Sequence, residues 1–144
     1  MNDDKQRSNG GLRNPQFRFA YFTPRYEETL AFYRDGLDFT VVGAWDRGLD
    51  DRGTVFQAAS GMIEVLALPS SGESEHLWDK RPPQGAFMVI EAEDVDSLYQ
   101  RVLERGLPIQ DRLKDQPWGH RGFCVRDPSG LTIYFFSEID NGWR

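Results

Sequence analysis

The chain has 144 residues, one cysteine and a net charge of −6 from 17 basic and 23 acidic side chains. That length suits one domain, which buries roughly two thirds of its unfolded surface and needs no disulfide or metal staple. The acidic balance opposes phosphate attraction and argues against a nucleic-acid partner, and the lone Cys124 excludes an internal disulfide and a thiolate cluster. No apolar run approaches the roughly 18 residues needed to span a bilayer, so no membrane partner is expected. The polar start, MNDDKQRSNGGLRNP, lacks the apolar segment of a secretory signal, which points to the cytoplasm.

Residues 1–15 are charged and rich in Gly and Asn, and read as a flexible tail. FRFAYFT, residues 17–23, is an aromatic strand. Thr23 is placed to cap the next helix, with Pro24 in its first turn. Tyr26, Thr29, Leu30 and Tyr33 recur at helical spacing, and Gly36 is expected to close that helix. Strands follow at 39–45 and 54–59, and Ser60-Gly61 turns the chain into MIEVLAL. The order is β-α-β-β-β.

Residues 69–84, rich in Ser, Gly, Glu, Lys and Pro, read as a linker, with Leu77-Trp78 as an apolar latch and His76 solvated. The order then starts again. AFMVIEA is a strand, and Asp94 caps a helix that carries Val95, Leu98, Tyr99 and Val102 on one face and ends at Gly106. LPIQDRL is a weaker strand. A hairpin closes the chain, with strands at 121–125 and 131–136 around the Asp127-Pro128-Ser129-Gly130 turn. Ser60-Gly61 and Ser129-Gly130 lie 69 residues apart, and Gly36-Leu37 and Gly106-Leu107 lie 70 apart. The expectation is an α+β fold of two βαβββ modules, residues 16–68 and 85–138, forming curved sheets around a shared cleft within one domain, 16–140.

These modules, LAFYRDGLDF at 30–39, EDVDSLYQRVLERG at 93–106 and the DPSG turn resemble the vicinal oxygen chelate superfamily, also called glyoxalase/bleomycin resistance/dioxygenase. PWGHRGF at 117–123 most resembles its bleomycin-resistance-like branch. In metal-dependent members a divalent cation sits on His and Glu from the first and last strands of each module. The resemblance maps those positions onto Arg18, Phe87, Tyr134 and, one residue out of step, Glu64. A guanidinium repels a cation, a phenyl ring cannot coordinate one, and a neutral phenol is a weak ligand. No metal and no cofactor are therefore expected. One residue of slip turns a strand side chain to the opposite face, which leaves the direction of Glu64 open.

Arg18 has two compatible readings, an anchor for a carboxylate or phosphate and a salt bridge to Glu64 or Glu91. Trp45, Phe87, Trp118 and Tyr134 form an aromatic wall for a planar or cationic ligand, or else ordinary core or dimer interface. His120 is a general base, a hydrogen-bond donor to ligand, or a strand-edge histidine capping a carbonyl. Asp127 sets the turn, and Cys124 is a buried filler. The resemblance implies metal-independent binding of a small organic molecule, such as an antibiotic, by a homodimer. The alternatives are a lyase, isomerase or dioxygenase with a relocated metal on Glu64, Glu91 and His120, and an interaction protein with a filled cleft.

Overall fold

A computed structural model describes residues 16–48, 51–69 and 81–139. The tail expected at 1–15, the Leu77-Trp78 latch and His76 lie outside the described residues. In chain order the elements are β1 (Arg18–Thr23), α1 (Tyr26–Ala31) continuing into a π-helical turn (Phe32–Gly36), β2 (Thr40–Asp46), β3 (Arg52–Ala58) and β4 (Gly61–Ala67). The second module repeats them as β5 (Phe87–Glu91), α2 (Val95–Glu104), β6 (Ile109–Asp115), β7 (His120–Arg126) and β8 (Thr132–Glu138). Each module is one mixed four-stranded sheet, ordered β1-β4-β3-β2 and β5-β8-β7-β6, with its first strand parallel to its last. The fold is α+β, two βαβββ units.

The expected helix ends hold in the second module and only in part in the first. Asp94 caps α2, accepting a hydrogen bond from the Ser97 amide. At its other end Gly106, at φ +67, lets its own amide reach the Leu103 carbonyl and that of Leu107 reach Val102, the paired bonds of a Schellman ending. α1 differs. The Thr23 hydroxyl accepts a bond from the Arg25 amide, so the helix starts at Tyr26 with no side-chain cap, and Pro24 precedes it. Its C-terminal turn widens so that Leu37 N–H bonds Phe32 C=O, and the left-handed residue is Asp38, at φ +59, rather than Gly36. Gly36 serves space instead: a Cβ there would lie 2.8 Å from the Leu107 side chain of the other module.

One apolar core joins the two modules on their helix-bearing sides. Tyr33, Phe56, Ile63 and Val65 from the first meet Val95, Val102, Phe123 and Phe135 from the second, all at most 2% exposed. Each such side chain stabilises the fold by about 1.5–3 kcal/mol relative to exposure. A polar joint lies within this core. The buried Asp127 carboxylate accepts hydrogen bonds from the Tyr21 and Tyr33 hydroxyls, at 2.5 and 2.9 Å, with one oxygen. Its other oxygen accepts from the Ser129 amide and hydroxyl and the Leu131 amide. A turn aspartate is thereby also the pin between modules. Arg105 adds a second tie, donating to the Gly36 carbonyl and the Asp38 carboxylate.

Candidate functional site

With the core on the helix side, the opposite face of each sheet stays open, and the strand register decides which side chains it carries. On the first sheet Glu64 pairs with Ala20 and with Val55. On the second, Tyr134 pairs with Val89 and with Cys124. Glu64 and Tyr134 therefore hold equivalent places. The apparent slip comes from the turns: Ala58 closes on Gly61 around two residues, whereas Asp127 closes on Leu131 around three. Glu64 thus shares the face of Arg18, and the two form a 2.8 Å ion pair. No bond from Arg18 to Glu91 accompanies it among the contacts of the described residues. The Arg18 side chain keeps 46% of its exposure and Glu64 keeps 17%, so the guanidinium remains open to a further anion.

An open groove of about 1260 Å³ runs along β1, with Ala20, Phe22, Glu64 and Leu66 on the sheet side and Pro82 and Pro83 on the far side. Trp45 stands on the same face of this sheet, its ring lying over Gly53, where a Cβ would come within 2.2 Å of it. Its indole N–H donates to Asp51, which also accepts from Arg47, whose guanidinium lies 5.7 Å from the ring centroid. The first face is polar at both ends.

The second face is aromatic. His120 stacks on Phe136 at 3.9 Å and 14°, and Tyr134 lies 6.1 Å from the same imidazole at 26°. The local sequence builds this. Pro117 occupies the second place of a turn in which the Gly119 amide bonds the Gln116 carbonyl, and Gly119, at φ +87, redirects the chain into β7. Trp118 is thereby brought back beside His120, and its indole Nε1 lies 3.0 Å from the imidazole Nδ1. Gly122 leaves room for Tyr134, whose ring would lie 2.5 Å from a Cβ. Partial burial is the main cause that holds the Tyr134 phenol above its ordinary value. Phe87 and Val89 continue the face on β5 at 62% and 53% exposure.

The structure brings Trp118, His120 and Tyr134 together and leaves Trp45 on the other sheet. Phe136 was missed, because TIYFF reads as a uniformly buried strand; alternation from Tyr134 was the available signal. His120 caps no carbonyl with its ring; its Nδ1 faces the Trp118 indole. Cys124 is half-buried on the open face opposite Tyr134 rather than in the core, and burial pushes its thiol up.

The residues at the positions expected for a cation are Arg18, Glu64, Phe87 and Tyr134, a set with one hard anionic donor that is already paired to a guanidinium. This set does not fit a divalent metal, which calls for several oxygen or nitrogen ligands. Among the described residues no three His, Cys, Asp or Glu side chains converge on a common point, so Glu64, Glu91 and His120 form no relocated site.

Two parallel-edged βαβββ sheets joined on their helix side, each with an open face, define the architecture of a single broad class. The chain belongs to the Glyoxalase/Bleomycin resistance protein/Dioxygenase superfamily, whose family profile matches residues 16–135. It is 45% identical over 122 residues to a bleomycin resistance protein of Geobacillus stearothermophilus, spanning 78% of this chain and 89% of that protein. Bleomycin resistance proteins of Staphylococcus aureus match to the same extent. Among solved structures, TioX from Micromonospora sp. ML1 superposes with a TM-score of 0.70 at 17% identity, over 85% of this chain and 98% of that one. TnmS3, an antibiotic binding protein from Streptomyces sp. CB03234, superposes with a TM-score of 0.64 at 22% identity, over 85% and 94%. At these identities the two structures establish the fold alone.

Proposed function

We propose that this protein binds a small organic molecule of the bleomycin class without a metal ion and thereby sequesters it. The observation that carries the reading is the pairing of unlike open faces, one with a half-exposed Arg18 ion-paired to Glu64, which lines a long groove, the other with a stacked His120, Phe136 and Tyr134. The guanidinium suits an anionic or carbonyl group, and the aromatic set suits a flat ring. The 45% identical relatives that are bleomycin resistance proteins support the choice of ligand. Against the enzyme reading stands the donor set, which lacks the ligands that would hold a Lewis acid.

The exposed β5 rim, Phe87 and Val89, supports a homodimer in which a second chain covers this edge. Bleomycin titrated into the protein should raise its melting temperature as the concentration passes the dissociation constant. Phe136→Ala should weaken that shift about tenfold or more in concentration, in line with the loss of a stacking ring and its buried area. A protein whose melting temperature ignores bleomycin at millimolar concentration would refute the ligand assignment. Sedimentation of wild type and Phe87→Glu checks the dimer: the wild type should run as two chains and the variant as one.

A further inference from the structure

The contact between Trp118 and His120 has a chemical sign. An indole N–H can only donate, so a 3.0 Å bond to the imidazole Nδ1 requires a lone pair there, with the ring proton on Nε2; the Tyr134 hydroxyl, 3.4 Å from the same Nδ1, is its second neighbour. Both ring nitrogens of an imidazolium are donors. A protonated His120 would set one donor against another and give up the bond. Trp118 is 48% exposed, its indole ring meets His120 edge-on at 6.3 Å, and the hydrogen bond fixes where that ring stands.

We propose that His120 is the positioning residue for Trp118, aiming the indole into the ligand site through a hydrogen bond that only the uncharged imidazole accepts. Ligand capture is then coupled to pH: the site is set in neutral solution and loosens as His120 takes up a proton. The inference rests on the small-molecule reading above and adds its regulation. Phe136 stacks on the ring and Tyr134 lies parallel to it, and ring faces attract a cation. Glu138 pairs with His120 across the β7–β8 ladder, Glu91 pairs with Phe136 from β5, and Asp111 pairs with Cys124 from β6. Lys114, opposite Gly122, and Arg126, opposite Thr132, are cations that the register places on this face. Arg121 points to the helix side, where Asp96 and Asp115 hold it. What a charged imidazole gives up is the bond from Trp118. Imidazole is the side chain that ordinarily changes charge between pH 5 and 8, where such a coupling is physiologically useful.

The test has a ligand-free arm and a binding arm. In nitrogen-15 spectra of the full chain, assigned with His120→Asn, His120 should show the Nε2–H tautomer at pH 8. The Trp118 indole resonance should move with the same midpoint as His120 on titration to pH 5. In the binding arm, bleomycin is titrated at pH 7.5 and 5.5. Asparagine keeps an uncharged acceptor close to the Nδ1 position, so wild type should weaken about three- to tenfold more than His120→Asn across that interval, the scale of one hydrogen bond. His120→Phe keeps the stack without the acceptor and should bind weakly at both pH values. An Nδ1–H tautomer at pH 8, an indole resonance indifferent to the titration, or equal pH dependence in wild type and His120→Asn would each overturn the proposal. If bleomycin binds at neither pH, the ligand reading fails and the spectra alone decide the Trp118–His120 pair.

Discussion

The two open faces occupy equivalent places in equivalent sheets and carry opposite chemistry. Where the first has Arg18 and Glu64 in an ion pair, the second has Phe87 and Tyr134; where the first has Leu66 opposite Gly53, the second has Phe136 opposite Gly122. Both use a glycine on the third strand as a floor for an aromatic ring, Trp45 in one and Tyr134 in the other. The difference shows how one scaffold is specialised. The shared core and turns keep the geometry, while the outward alternate residues of the first and last strands are free to set charge on one side and stacking on the other.

The sharpest way to break the equivalence is at its joint. Ala58 in the first module corresponds to Asp127 in the second, and only the latter pins the modules through Tyr21 and Tyr33. Asp127→Ala should cost about 3–5 kcal/mol in urea unfolding, because two buried phenols and three turn donors lose their acceptor. Asp127→Asn should cost less. The same joint predicts an alkaline weakness. Burial, ahead of the Asp127 charge for Tyr21 and of the Tyr21 and Asp127 charges for Tyr33, raises both phenols above their ordinary value. A raised folded-state value favours the protonated form, so this stability is whole below about pH 10 and is lost as pH rises through the folded values. Melting temperature should fall above pH 10 in wild type and fall less in Tyr33→Phe measured against its own neutral value.

The glycine floors come next. Gly122→Ala places a Cβ 2.5 Å from the Tyr134 ring and 2.6 Å from the Phe135 carbonyl, and the second of these is backbone. It should cost about 2–3 kcal/mol. Gly53→Ala meets the Trp45 ring first, a partly exposed side chain that can swing aside, so about 1 kcal/mol or less is expected. Equal losses at the two sites would contradict the view that the second face is the more tightly built. Smallest of all is Arg18→Ala, whose partly exposed ion pair is worth at most about 1 kcal/mol of stability. Its effect should show in ligand affinity instead.

Much of the architecture was legible because local signals agreed: alternation in the strands, helical stripes at Tyr26, Leu30 and Tyr33 and at Val95 and Val102, and turn residues at Asp127–Gly130. The repeat itself set two sheets. What escaped was register and side-chain choice. The start of α1 was hidden because Thr23 bonds the Arg25 amide two residues on, an arrangement that looks like a cap in one dimension. Glu64 looked out of step because turn length, which sequence similarity at Ser-Gly conceals, shifts the strand by one. Trp118 and His120 were singled out separately, but their bond depends on the left-handed Gly119 between them. Phe136 lay inside an apolar run whose outward members only a sheet can distinguish.

The central claim, capture of a small organic molecule without a metal, is met most directly by calorimetry. The protein is dialysed against EDTA, its residual metal is quantified, and metal-free bleomycin is titrated with EDTA still present. We predict saturable binding with an affinity unchanged by omitting the chelator and weakened in Phe136→Ala and Arg18→Ala. Binding that disappears in EDTA and returns with a stoichiometric divalent ion held by the protein would contradict the account.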